Sequence, residues 1–128
     1  MAIISSRAVL ILLAGVAVGA AATHGLRAQA KPPAYAVIDV AAITDAEGYK
    51  AIGPKGGPSV EAFGGRFLVR SDAIAGSDGT PPQRYVVIAF DSLERAKAWR
   101  ASPAMREIWA IQEKSSASRV FFVEGLPR

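Results

Sequence analysis

Cysteine is absent from this chain and histidine occurs once, at His24. Without thiols there is no disulfide, no thiolate nucleophile and no dithiol redox pair. His24 falls in an N-terminal stretch that reads as a leader, so the chain beyond it carries no imidazole either. That excludes Cys/His zinc sites, Ser-His-Asp and Cys-His nucleophile systems, and soft or imidazole ligation of copper or haem. Blocks of like charge are also missing. Basic residues alternate with acidic ones, which leaves nucleic acid no electrostatic footprint. The carboxylates are dispersed without the Asp-x-Asp-x-Asp-Gly spacing of a calcium loop, and Ser77-Asp78-Gly79 is a turn by itself. The expectation is a domain with no metal and no cofactor, whose candidate catalytic groups are carboxylates and tyrosines.

What is present begins with an export pattern. Arg7 supplies a positive start, residues 8–22 are an uncharged Ala/Val/Leu/Ile/Gly run, and Ala28-Gln29-Ala30 is a small-x-small cleavage site. Residues 1–30 are therefore expected to be a signal peptide. The alternative is an uncleaved membrane anchor, because the uncharged span can be extended to residues 8–26, just enough to cross a bilayer. Either reading puts residues 31–128 outside the cytoplasm, with 31–34 a linker and 35–128 the folded domain. Contact with a membrane is expected only if the leader stays. Loss of Arg7 and Arg27 with the leader takes fifteen basic residues to thirteen against eleven acidic, so a net charge of +4 falls to +2. An exported domain of this size without disulfides must rely on its core, which can bury roughly two-thirds of the unfolded surface.

In chain order, residues 35–40 (YAVIDV) form a first strand, apolar on both parities except for Asp39. Asp39 is expected to be solvated or paired with an arginine, with a functional role as the alternative. Thr44 or Asp45 can cap a helix from Ala46, with Tyr49 and Ile52 on one face. Residues 53–58 hold three glycines and two prolines and predict a kink or loop, after which helix resumes over 59–63. Lys55 beside these glycines lacks the strand and the Lys-Ser/Thr of a phosphate loop. Gly64-Gly65 then supplies a left-handed helix end. Residues 66–71 (RFLVRS) form a second strand; regular alternation puts Phe67 and Val69 on one face and Arg66, Leu68 and Arg70 on the other. A long Gly/Asp/Ser/Pro loop leads from there to Gln83.

The best-specified stretch is RYVVIAFDSLERAKAW, residues 84–99. Its strand is apolar on both parities, Asp91 or Ser92 can cap the next helix, and Glu94 stands in capping-box spacing from Asp91. Ser102-Pro103 restarts helix. Met105, Ile108, Trp109 and Ile111 then form a core stripe, and residues 119–123 (RVFFV) a last strand, again apolar on both faces. The order predicts an α+β, ferredoxin-like βαββαβ fold with a four-stranded antiparallel sheet. Helices cover one face of such a sheet, so strands apolar on both faces predict a homodimer that packs sheet on sheet.

GGRFLVR, RYVVIAFDSLERAKAWRASPAM and RVFFVEG together make residues 35–125 resemble the domain of unknown function 1330 family, in the dimeric α/β-barrel superfamily. Met105 stands where that family usually has a tyrosine after Ser-Pro. The resemblance implies the fold and the dimer, and the superfamily includes cofactor-independent monooxygenases, haem-handling enzymes and simple ligand binders. Three functions are expected on this footing. The first is an exported dimer binding a small ligand between helices and sheet, with Tyr35, Arg66, Arg70 and Trp99 as contacts. The second is a cofactor-independent oxygenase or isomerase acting on a small aromatic or acidic compound, with Asp39 as base and Tyr49 as a second catalytic candidate. The third is a structural envelope module.

Overall fold

The strand-forming runs meet in one sheet in a computed structural model that describes residues 30–128. Strands β1 (Ala34–Ile43), β2 (Arg66–Ser71), β3 (Arg84–Phe90) and β4 (Ser116–Glu124) lie in the order β2-β3-β1-β4, and every pairing is antiparallel. Of the three doubly apolar runs, YAVIDV and YVVIAF are in the central strands and RVFFV is in β4 at an edge. Between β1 and β2 run α1 (Ala46–Tyr49), a 3-10 turn (Lys50–Ile52) and α2 (Gly53–Glu61); between β3 and β4 run α3 (Leu93–Ala101) and α4 (Pro103–Ser115). This is the expected α+β, ferredoxin-like βαββαβ arrangement. The leader, its cleavage and the anchor alternative lie outside the described residues, among which no helix is long and apolar enough to cross a membrane.

Side-chain caps fix where the helices start. Asp45 Oδ1 accepts from the Gly48 N–H at 3.1 Å, Ser92 Oγ from Arg95 at 3.3 Å, and Ser102 Oγ from Met105 at 3.2 Å. Because Ser92 rather than Asp91 is the cap, the capping box expected from Asp91 does not form. Glu94 sits instead in the first turn, where its backbone N–H, then Lys31 at 3.4 Å, holds its carboxyl below the usual range. The Gly/Pro stretch differs from the expected loop, since residues 53–61 are helical. Pro54 stands in the first turn, where no donor is needed, and the carbonyl that Pro58 fails to serve lies on the exposed side.

Even-numbered residues of β1 and β3 face the helices. Ala36, Ile38 and Val40 with Val86, Ile88 and Phe90 are buried against Val60, Ala96, Trp99, Met105 and Ile108. The Phe90 and Trp99 rings pack at 5.4 Å between centroids, and the indole N–H donates to Ser59 Oγ at 3.2 Å. Two glycines close the approach to this core. Gly64 turns at φ +70°, and a Cβ on Gly65 would stand 2.6 Å from Phe90 Cε1.

Odd-numbered residues face the other way, where none of the described helices packs. There Tyr35, Val37, Tyr85, Val87, Phe121 and Val123 share a face, with Phe121 38% and Val123 46% exposed. Asp39 lies on it too, held by Arg119 Nη2 at 2.9 Å across the β1/β4 pair.

Strand β2 departs from the expected alternation. Phe67 pairs with Ile88, Val69 with Val87 and Arg70 with Val86, so Leu68 is the extra residue of a bulge. The bulge reverses the parity of residues 69–71. Phe67 and Arg70 share the helix face, with the Arg70 guanidinium 4.9 Å from the Phe67 ring centroid, while Arg66 and Val69 stand on the bare face. The expected Arg66/Arg70 pair on one face is therefore corrected.

Candidate functional site: a helix-sheet cavity

A cavity of about 250 Å³ lies between the helices and the sheet. Its floor is the helix-facing row of the sheet, chiefly Ile38, Val86, Ile88 and Phe67; its roof carries Tyr49, Ser59, Trp99, Met105 and Ile108. The exposed residues Lys50, Gly53 and Arg70 form its mouth. Gly56 stands over Arg70, where a Cβ would lie 4.0 Å from Nη2, an ordinary van der Waals contact.

Polarity is segregated along the length of this cavity. Arg84 pairs with Val40 near the end of β1, and Ser116, which directly follows α4, pairs with Ile43 at that same end. Arg70, Arg84 and Gln112 therefore belong to one end, and Ile88, Trp99 and Met105 to the other. Four residues of strand separate Arg84 from Ile88, about 13 Å, and seven of helix separate Met105 from Gln112, about 10 Å.

The polar end carries positive charge and a lone acceptor. Lys50 is bound to Glu47 at 2.9 Å, whereas Arg70 and Arg84 form no ion pair among the described residues, and no carboxylate lines the cavity. Arg70 and Arg84 are diagonal neighbours on adjacent strands, since Arg70 pairs with Val86. Gln112 is 3% exposed and its Oε1 has no hydrogen-bond partner. A buried carbonyl in that condition costs free energy unless something donates to it.

Of the residues singled out from sequence, Tyr49, Arg70 and Trp99 come together in this cavity. Tyr35, Asp39 and Arg66 stand on the opposite face of the sheet. Asp39 borders a shallow depression with Thr80, Pro81 and Arg119, and its charge is already matched by Arg119. Arg84 and Gln112 were missed. Arg84 shares the parity of Val86 and Ile88, a signal readable in sequence, whereas Gln112 follows Ile108 by four on the apolar stripe of α4.

Fold and cavity define a small α+β domain of ferredoxin-like topology with a ligand-sized space between layers. The chain belongs to the family described as Domain of unknown function (DUF1330), which matches residues 33–126. Among curated proteins none matches. A Rhodopseudomonas palustris protein of unknown function is similar in structure at a TM-score of 0.58 and 18% identity, over 84% of this chain and 93% of that one. A hypothetical Arabidopsis thaliana protein is similar at 0.57 and 17%, over 77% and 93%. SnoaB, a cofactor-independent oxygenase from Streptomyces nogalater, is similar at 0.52 and 12%, over 76% and 96%. At such identities the likeness is one of fold.

Proposed function

We propose that the protein is an exported homodimer that binds a small organic ligand in the helix-sheet cavity, without metal or cofactor. The observation that carries the reading is the cavity itself, apolar at one end and cationic at the other. A domain that served only as an envelope module would gain nothing from two unpaired arginines lining a cavity. Export rests on Arg7, the apolar run and Ala28-Gln29-Ala30. The dimer rests on the bare sheet face, because a row of Val37, Val87, Phe121 and Val123 is more apolar than a solvated sheet face requires.

A catalytic reading, as a cofactor-independent oxygenase or isomerase, has less to stand on. Asp39, its proposed base, is across the sheet from the cavity and paired with Arg119, which leaves Tyr49 as the cavity's one phenol. Native mass spectrometry of protein purified from its own envelope tests the proposal. It should give twice the mass of a chain beginning at Lys31, with retained small-molecule mass released on denaturation. A monomer, or a chain beginning at Met1 in cytosol, would remove the dimer or the export part respectively.

A further inference from the structure

We infer that the cavity takes its ligand tail first: an apolar acid whose buried part carries no hydrogen-bonding atom and whose anionic head stays at the mouth. The inference rests on the ligand-binding reading above and specifies its chemistry. The deep end carries it. Helix α2 runs from Gly53 at the mouth to Ser59 in the roof, six residues or about 9 Å inward. Tyr49, Lys50 and Arg70 belong to the mouth, and Arg84 and Gln112 to the polar end. That leaves Ser59 and Trp99 as the polar side chains of the deep end, and they are committed to each other. The Trp99 indole N–H donates to Ser59 Oγ at 3.2 Å, and Ser59 Oγ donates to the Gly56 carbonyl at 2.8 Å. An indole and a hydroxyl have one donor each, so no side-chain donor is left for a guest. The walls beside them are Val60, Ile88, Met105 and Ile108. An acceptor atom carried to this depth loses water and gains no partner, which costs a ligand about tenfold or more in affinity.

The mouth has the opposite character. No carboxylate lines the cavity, and Arg70 has no ion pair among the described residues. Its guanidinium lies 4.9 Å from the Phe67 ring of the floor, and its Nη2 stands 4.0 Å from where a Cβ on Gly56 would be in the roof. The cation therefore sits between sheet and helix at the opening. A head group left there stays in water within the field of Arg70, which favours an anion modestly and in a salt-dependent way. The volume of about 250 Å³ lies just under the usual range for drug-sized ligands and suits a tail of one ring.

The test uses the chain purified from its own envelope, calorimetry at a mildly alkaline pH where pyridine is uncharged, and three probes of one shape: 4-phenylbutyrate, 4-(pyridin-4-yl)butyrate and 4-phenylbutyramide. The pyridyl acid differs from the first only by a ring nitrogen at the tip, an acceptor without a donor. 4-Phenylbutyrate should bind at least about tenfold tighter than the pyridyl acid. Ser59→Ala frees the Trp99 N–H, so this gap should shrink to about threefold or less while 4-phenylbutyrate keeps its affinity; Ser59→Thr keeps the hydroxyl and should keep the gap. The acid should exceed the amide about threefold at low salt and lose that advantage at high salt or in Arg70→Gln. Equal binding of the phenyl and pyridyl acids by the unmutated chain, a comparison that needs no variant, would overturn the apolar-tail assignment, as would a gap that Ser59→Ala leaves unchanged. Equal binding of acid and amide at low salt would overturn the anionic head. Failure of all three probes and of propylbenzene to bind would overturn the cavity reading itself.

Discussion

Replacing Val87 by aspartate puts one carboxylate at the centre of the bare sheet face, on a central strand between Val37 of β1 and Val69 of β2. In the monomer this position is partly exposed and the change is tolerable. In a sheet-on-sheet homodimer the two-fold axis brings the carboxylate in twice, each copy losing water without gaining a partner. An unpaired ion so placed costs several kcal/mol, so the pair costs about 6 kcal/mol or more. At about 1.4 kcal/mol per decade that weakens a nanomolar dimer to tens of micromolar. Sedimentation velocity from 1 to roughly 100 μM should find the unmutated chain dimeric throughout and Val87→Asp monomeric at the low end, with unchanged far-UV circular dichroism. Ile88→Asp is the control of opposite parity, because Ile88 is 1% exposed in the core and its replacement should unfold the domain instead. A monomeric unmutated chain at micromolar concentration, or a Val87→Asp dimer of undiminished affinity, would refute the argument.

Three further outcomes are expected. Deleting Leu68 should leave Phe67 opposite Ile88 and Arg70 opposite Val86 in a regular strand, so a crystal structure of the variant should keep Arg70 on the helix face; a variant that unfolds or turns Arg70 to the bare face would refute the bulge. Gly65→Ala should destabilise by about 1–3 kcal/mol, because its Cβ would meet Phe90 and Val60 at 2.6 and 2.9 Å, and thermal melting should fall by roughly 4–8 °C per kcal/mol. Glu94→Gln should lower the melting temperature slightly at neutral pH. Since the folded-state pKa of Glu94 is depressed, its contribution is complete above the unfolded value and disappears as pH falls through the folded one, where variant and parent should melt together.

The fold was legible because local and long-range signals agreed. β1, β3 and β4 were readable as strands from runs apolar on both parities, though that pattern did not separate the central pair from edge strand β4, and the serine caps at Ser92 and Ser102 mark helix starts that the structure keeps. The Gly/Pro segment misleads because propensity carries no context: Pro54 sits where a helix has donors to spare, and the chain reopens as helix straight after a 3-10 turn. The site was legible only in part, and the reason is one residue. Period-2 counting through RFLVRS assigns Arg70 to the face of Arg66, and nothing in those six letters announces that Leu68 is skipped. With the bulge in place Arg70 crosses to the helix face and meets Arg84, whose parity comes directly from Val86 and Ile88. The same parity rule sends Tyr35 and Asp39 away from the cavity. Asp39 therefore belongs with Arg119 to the polar fringe of the bare face, an ion pair bordering an apolar row rather than a group in the cavity.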